Sequence, residues 1–194
     1  MSDADRHRWN QRYADRGPVH VGEAKLPAAF REFADIFPSA GTALDLACGR
    51  GGAAVWLARR GLRVRGYDIS PEALGQARDL AALAGCASRC RFDVADLDAG
   101  LPPGPAADVI VVSMYRDARL DDEILTRLAP AGLLAVSALS EVGAAPGRFR
   151  AARGELTAAF GELELIGSGE GGGLAWLLGR QPALGRIGAC PKPR

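Results

Sequence analysis

Metal-binding and membrane-spanning features are scarce in this chain of 194 residues. It has two histidines, His7 and His20, and its cysteines are Cys48, Cys86, Cys90 and Cys190. Zinc sites show closer pairing of such ligands, so we expect no metal site and reduced thiols. No apolar run approaches the roughly 20 residues of a membrane-spanning helix, and the charged N-terminus lacks the apolar core of a signal peptide. The sequence therefore predicts a cytoplasmic protein without a membrane partner.

A surplus of charge of either sign is also missing, because the formal net charge is +1. Nucleic-acid binding proteins usually carry a basic surplus, so we expect no nucleic-acid partner. Near the N-terminus, Arg8, Arg12 and Arg16 form a stripe at helical spacing. Acids are interleaved with this stripe, and we interpret it as a face exposed to solvent. The hydrophobic content of 48% and the length suit one globular domain with a full core.

From residue 42 onward, short apolar segments alternate with helical ones. Strands are predicted at 42–47, 63–67, 89–94, 107–113, 133–139, 162–168 and 173–179. Helices are predicted at 52–60, 71–84, 121–129 and 153–160. Such alternation favours a parallel sheet with right-handed crossovers, whereas the glycine-rich turn at 169–172 favours a closing hairpin. The expected fold class is α/β: a Rossmann-like, doubly wound, mostly parallel seven-stranded sheet with an antiparallel C-terminal hairpin strand.

Two further helices are predicted before the sheet, at 3–16 and 27–36. We expect residues 1–37 to form a helical lid on a single domain that spans 1–180. Residues 181–194 contain three prolines and no periodicity, which is typical of a loose tail.

The most informative stretch is 42–52, which reads Thr-Ala-Leu-Asp-Leu-Ala-Cys-Gly-Arg-Gly-Gly. A buried strand that enters a glycine loop and then a helix is the nucleotide-binding corner of a Rossmann-like sheet. The spacing Gly49-x-Gly51-x-x-Ala54 fits a dinucleotide fingerprint. Asp68 stands 19 residues after Gly49, where a ribose-binding acid is expected. An NAD(P)-dependent oxidoreductase is therefore one hypothesis.

Three acids favour a different ligand. Asp45 lies inside the first strand, where a carboxylate would repel a pyrophosphate but suit an ammonium group. Asp68 ends the second strand, and Asp96 follows the third, where it can accept a hydrogen bond from an amine. Together with the glycine loop, these acids fit S-adenosylmethionine. This cofactor has an ammonium group, a ribose diol, an adenine amine and no phosphate.

Residues 44–52, together with Tyr-Asp-Ile-Ser-Pro at 67–71, resemble the first two motifs of class I S-adenosylmethionine-dependent methyltransferases. The resemblance is closest to the small bacterial tellurite-resistance and thiopurine methyltransferase-like group. Arg-Trp-Asn-Gln-Arg-Tyr at 8–13, Leu-Ala-Pro-Ala-Gly-Leu-Leu at 128–134 and the terminal hairpin support it. The resemblance implies S-adenosylmethionine as the cofactor and a small molecule as the methyl acceptor. Soft sulfur, selenium and tellurium nucleophiles are candidates for that acceptor.

The resemblance also implies a set of cofactor-binding residues. Asp45 would face the ammonium group, Asp68 would accept both ribose hydroxyls, and Asp96 would accept from the adenine amine. Asp93 is an alternative to Asp96, because the end of the strand is not fixed by the sequence. The full implied set is Trp9, Tyr13, Asp45, Ala47, Cys48, Gly49, Gly51, Asp68, Ile69, Asp96, Leu97, Ser113 and Met114.

Tyr115 and His20 are candidates for a catalytic role, although a soft anionic acceptor needs no base. The chain departs from the group's pattern at Gly52-Ala53, where relatives often carry Arg-Asn, and partly at 114–119, Met-Tyr-Arg-Asp-Ala-Arg. The group's substrate is therefore not carried over. A non-catalytic cofactor-binding or sensing protein on the same fold stays an alternative. For the oligomeric state, both a monomer and a homodimer stay open.

Overall fold

The computed structural model describes residues 3–145, 147 and 150–183. Its strands are β1 (Thr42–Leu46), β2 (Arg63–Asp68), β3 (Cys90–Val94), β4 (Ala107–Ser113), β5 (Leu128–Ser140), β6 (Arg150–Ala151), β7 (Glu164–Gly171) and β8 (Leu174–Arg180). Its α-helices are α1 (Asp3–Ala14), α2 (Gly52–Arg59), α3 (Pro71–Leu83), α4 (Asp121–Arg127) and α5 (Glu155–Ala159). Short 3-10 helices cover Val21–Glu23, Ala28–Ile36, Ala87–Arg89, Leu97–Ala99 and Ala118–Leu120.

The strands form one sheet in the order β3-β2-β1-β4-β5-β8-β7, and β6 pairs with β5. The pairs from β3 to β5 are parallel, and β8 runs antiparallel to both β5 and β7. The predicted fold class is thus confirmed. Because parallel strands end at the same edge of a sheet, the loops after β1, β2, β3 and β4 meet there, which is where this fold places its ligands.

Side chains of the central strands feed two hydrophobic cores, one on each face of the sheet. In β4, Val109 and Val111 join the core that α2, α3 and the 28–36 segment cover, while Ile110 and Val112 join the core under α4 and α5. This alternation follows from the two-residue period of a strand. Burial on both faces explains why the sequence of β4 is a continuous apolar run.

The structure differs from the sequence-based expectations in three elements. The described residues form eight strands, one more than predicted, and the additional one is the two-residue strand β6. The predicted helix at 27–36 is a 3-10 helix, Ala28–Ile36. The predicted helix at 121–129 ends at Arg127 and strand β5 begins at Leu128, which pairs with Ala107 before the chain bulges through Ala131 at a φ of 61°.

The structure does not test several of the predicted features. Most of the predicted tail at 181–194 lies outside the described residues, as does Cys190. The single-domain boundaries at 1–180 and the lid at 1–37 stay predictions. Within the described ranges, no helix has both the length and the apolar character that crossing a membrane requires.

Helix α1 is fixed to the N-terminal end of α3 by two side-chain hydrogen bonds. The Ser70 hydroxyl donates to Asn10 Oδ1 at 2.6 Å, and Gln76 Nε2 donates to the Tyr13 carbonyl at 3.0 Å. Ser70 also caps α3, since its hydroxyl accepts from the Ala73 N–H. The first predicted helix therefore covers the edge of the sheet at which the loops meet.

Arg116, in the segment after β4, ties α4 and α5 together. Its guanidinium forms a bidentate pair with Asp121 at 2.6 and 2.8 Å and a third bond to Glu155 at 2.7 Å, and its side chain is only 7% exposed. Removing the cation leaves the Asp121 and Glu155 carboxylates close together without their shared cationic partner. The resulting loss of stability is moderate, because both acids are partly exposed to solvent.

We expect Arg116→Met to lower the free energy of unfolding by about 2 kcal/mol. Denaturant unfolding monitored by circular dichroism measures this change. Arg119→Met is the matched control, because that arginine pairs with Asp117 on the exposed surface and exposed pairs contribute little. Equal stability of the two variants would show that the Arg116 cluster does not hold these helices in place.

Candidate active site

A cavity of about 710 Å³ opens at the carboxyl ends of β1, β2 and β4, beneath α1 and the segment that follows it. It brings together most of the residues that the sequence singled out. Lining the cavity are Trp9, Tyr13, Asp45, Ala47, Cys48, Gly49, Asp68, Ile69, Leu97, Ser113, Met114 and Tyr115. Gly51, Asp96 and His20 are not among the lining residues.

The glycine loop leaves β1 through three residues with positive φ: Ala47 at 52°, Gly49 at 52° and Gly51 at 76°. Gly51 is the N-cap of α2, and a Cβ on it would lie 2.8 Å from the Cβ of Ala77 in α3. This glycine therefore permits close helix packing and does not border the cavity. Ala47 does border it, and a non-glycine residue in the left-handed region is typical of functional sites.

Asp45 is a buried carboxylate at the end of β1, with only 2% of its surface exposed. Its Oδ2 accepts a hydrogen bond from the Ala54 N–H at 2.9 Å, while no hydrogen bond from the described residues reaches Oδ1. Burial raises its pKa from 3.8 to about 7, with a smaller contribution from the nearby Asp68. No basic side chain in the described part of the chain forms an ion pair with it. A buried charge without a partner is unfavourable. The Asp45 carboxylate is therefore suited to pair with a cationic group of a ligand in the cavity.

Asp68, at the end of β2, positions the loop and the cavity wall together. Its Oδ2 accepts from the Gly49 N–H at 2.8 Å, and its Oδ1 accepts from the Ser70 N–H at 2.9 Å. Burial raises the pKa of Asp68, and the backbone N–H donors oppose that rise. A carboxylate has about four acceptor positions, so two remain available for a diol. The free acceptor positions of Asp68 therefore match the two hydroxyl groups of a ribose.

The apolar walls of the cavity next to Asp68 come from Ile69 and Leu97, both buried. Asp96 precedes Leu97 and uses its Oδ1 to accept from the Asp98 N–H at 3.0 Å, which caps a 3-10 helix. Asp93 of β3 is ion-paired with Arg91 of the same strand and with Arg65 of the neighbouring β2. The roles of Asp96 and of its alternative Asp93 stay predictions.

Ser113, Met114 and Tyr115 form the opposite wall at the end of β4. Met114 has a φ of 58°, so both central strands, β1 and β4, end in a non-glycine residue with left-handed backbone at the cavity. The Met114 N–H donates to the Ser137 carbonyl at 2.7 Å, which fixes this turn. Burial raises the pKa of Tyr115, with a further contribution from Asp117. Its hydroxyl is therefore protonated at neutral pH.

The two histidines do not reach the cavity. His7 and His20 are exposed, and neither lines it. His20 begins a short 3-10 helix, where its backbone N–H donates to Glu23 Oε1 at 3.0 Å. Among the described residues, no group of three or more metal-ligating side chains is close enough to hold a metal ion.

The structure adds a wall of basic residues that sequence reasoning assigned to solvent. The arginine stripe of α1, Arg8, Arg12 and Arg16, lines the cavity. Arg12 lies 5.2 Å from the ring centroid of Trp9 and Arg16 lies 5.5 Å from that of Tyr13. The pairing of arginines with aromatic residues in one helix is the sequence signal that could have identified this face. The other basic lining residues are Lys25, Arg31 and Arg50.

Comparison with known proteins agrees with this geometry. Residues 43–132 match the family described as Methyltransferase domain. TehB from Haemophilus influenzae has a similar structure, with a TM-score of 0.70 and 18% identity; the match covers 80% of this chain and 62% of TehB, so it spans less than two thirds of that protein. No curated protein matches the sequence.

Two further solved structures are similar over most of their length. An S-adenosylmethionine-dependent methyltransferase from Mesorhizobium loti has a TM-score of 0.65 and 18% identity, with 79% of this chain and 96% of that chain covered. Magnesium protoporphyrin IX methyltransferase from Synechocystis, solved with bound S-adenosylhomocysteine, has a TM-score of 0.68 and 16% identity, with 92% and 98% covered.

Residues 43–132 thus match a methyltransferase domain, and the chain shares the Rossmann-like fold of the solved methyltransferases.

Proposed function

We propose that this protein transfers the methyl group of S-adenosylmethionine to a small-molecule acceptor, and that the acceptor atom is a soft sulfur, selenium or tellurium nucleophile. The main support for S-adenosylmethionine as the cofactor is Asp45, a buried carboxylate that faces the cavity without a cationic partner among the described residues. The ammonium group of S-adenosylmethionine supplies that cation. A pyrophosphate there would leave the carboxylate facing a second anion.

The residues around the cavity suit each part of this cofactor in turn. Asp68 has acceptor positions left for the ribose hydroxyls, and Ile69 and Leu97 offer apolar surfaces for the adenine. Ser113 and Met114 border the space beyond them. When bound, S-adenosylmethionine supplies a methyl group already activated by its sulfonium, so that in-line displacement needs mainly alignment and the exclusion of water.

The soft acceptor is favoured by the lack of a base in the cavity. Neither histidine lines it, and the raised pKa of Tyr115 keeps that phenol protonated. Of the carboxylates in the wall, Asp45 and Asp68 are assigned to the cofactor, and Glu23 forms an ion pair with Arg50 at 3.4 Å. An acceptor that is already anionic at neutral pH needs no proton removed. Thiolates and tellurium or selenium anions meet this condition better than alcohols do.

Calorimetric titration tests the cofactor. S-adenosylhomocysteine is expected to bind to the purified chain, whereas NADH is expected to give no binding heat. Binding of NADH alone would instead support the oxidoreductase.

An acceptor screen with S-adenosylmethionine tests the transfer. We expect S-adenosylhomocysteine to be released with small thiols, selenite or tellurite, and more slowly with phenols. Cofactor binding without turnover on any of these acceptors would favour the non-catalytic binding protein.

A further inference from the structure

Basic side chains outnumber acids around the cavity. Six of them line it, against the three acids Glu23, Asp45 and Asp68. Two of the six have acidic partners, since Arg8 pairs with Asp5 at 3.0 Å and Arg50 pairs with Glu23. Arg12 and Arg16 are held over the aromatic rings of α1. The remaining two basic residues are Lys25 and Arg31.

Neither Lys25 nor Arg31 has an acidic partner in the described ranges. Both side chains are exposed and line the cavity. Arg31 donates from Nε to the Leu26 carbonyl at 3.3 Å, which leaves its two terminal nitrogens free and anchors the stem of the side chain. A planar guanidinium with two free terminal nitrogens is suited to bind a carboxylate or a phosphate.

The segment with these two residues runs from the glycine loop, where the Lys25 carbonyl lies next to Gly52, to the β5–β8 side of the cavity. Phe30 and Phe33, its neighbours in the 28–36 helix, pack against Trp176 of β8 at ring distances of 6.1 and 5.7 Å. Strand β8 pairs with β5, whereas Asp68 and Ile69 follow β2 on the other side of β1. Lys25 and Arg31 are thus separated from the ribose and adenine walls by the glycine loop.

The cofactor does not neutralise this surplus. S-adenosylmethionine has two cationic groups, its ammonium and sulfonium, and one carboxylate, so its binding adds net positive charge to the cavity. Its single carboxylate can pair with only one of the unpaired basic side chains, so the remaining cations are left for the second ligand. Uncompensated cations that line one cavity select a ligand of opposite charge and raise its local concentration.

We infer that the methyl acceptor has an anionic group, a carboxylate or a phosphate, that Lys25 and Arg31 bind while its nucleophilic atom faces the wall of Ser113 and Met114. This inference rests on the proposed function, because it assigns the second ligand of the same cavity. The acceptor is then a small charged molecule, and not a neutral phenol or an apolar thiol.

The test uses the full chain saturated with S-adenosylhomocysteine and three probes at constant ionic strength: sodium succinate, sodium phosphate and the neutral isostere succinamide. At least one dianion is expected to bind at least about tenfold more tightly than succinamide. Preference for succinate assigns a carboxylate, and preference for phosphate assigns a phosphate. The double variant Lys25→Gln/Arg31→Gln is expected to lose that preference while its affinity for S-adenosylhomocysteine stays the same.

The matched control is Arg59→Gln/Arg63→Gln, which removes two exposed charges from the opposite, amino-terminal edge of β2. It is expected to bind the dianion like the unmodified chain. An equal loss in both double variants would show only a net-charge effect and would overturn the site. Binding of S-adenosylhomocysteine with no preference for either dianion would refute the site alone. Failure to bind S-adenosylhomocysteine would refute the proposed function with it.

Discussion

Replacing Asp68 by alanine is expected to weaken the binding of S-adenosylhomocysteine by about 3 kcal/mol, a factor of roughly 150. Two effects combine. The ribose hydroxyls lose a charged acceptor, and the Gly49 and Ser70 N–H groups lose the oxygens that hold them at 2.8 and 2.9 Å. Because Gly49 belongs to the loop that borders the cavity, the loss also loosens the wall next to the methionine end of the ligand.

Calorimetric titration of the variant measures this loss, and thermal unfolding without ligand checks that the fold survives. Asp79→Ala is the matched control, because Asp79 is an exposed acid on α3, the helix that follows Asp68, and does not line the cavity. A dissociation constant for Asp68→Ala within a factor of two of the unmodified chain would exclude the ribose role. Such a result would leave Asp68 as a residue that only holds the loop.

The glycine loop and its two acids could be predicted from the sequence because their determinants are local. A strand, a glycine turn and a helix follow one another directly, and the spacing from Gly49 to Asp68 reflects one crossover. The sequence did not reveal what Gly51 is for. Its contact with Ala77 depends on how closely α2 and α3 pack, and a spacing rule contains no information on that distance.

The arginine stripe of α1 is exposed as predicted, but the sequence did not show that it also borders the cavity. Alternation with acids is typical of a solvated helix, and in isolation the interpretation was sound. The orientation of α1 is set instead by partners outside it, namely the Ser70 hydroxyl and the Gln76 amide of α3. No periodicity within α1 encodes these partners. The same holds for Arg116, whose acids come from two helices that follow it in the chain.

Asp45 makes the free protein and its ligand-bound form respond to pH in opposite ways. Its pKa in the folded, ligand-free protein is about 7, above the ordinary 3.8, so the folded state holds this proton more tightly than the unfolded chain does. The resulting stabilisation is complete below pH 3.8 and is lost as the pH rises to about 7. The loss amounts to about 4 kcal/mol, since one pKa unit is worth about 1.4 kcal/mol. Pairing with an ammonium group requires the ionised form, so cofactor affinity should instead fall as the pH drops below 7.

Asp45→Asn separates these two effects. Asparagine keeps an acceptor for the Ala54 N–H but cannot ionise, so the ligand-free variant should exceed the unmodified chain in unfolding free energy by up to about 4 kcal/mol at pH 8 and by only about 1.5 kcal/mol at pH 5. Binding of S-adenosylhomocysteine at pH 8 should weaken by about 2 kcal/mol, the scale of a charge-assisted bond, and should no longer change between pH 5.5 and 8. Denaturant unfolding and calorimetry at these pH values measure both. Equal affinity of Asp45→Asn and the unmodified chain for S-adenosylhomocysteine at pH 8 would contradict the ammonium role, because the variant has no charge to offer.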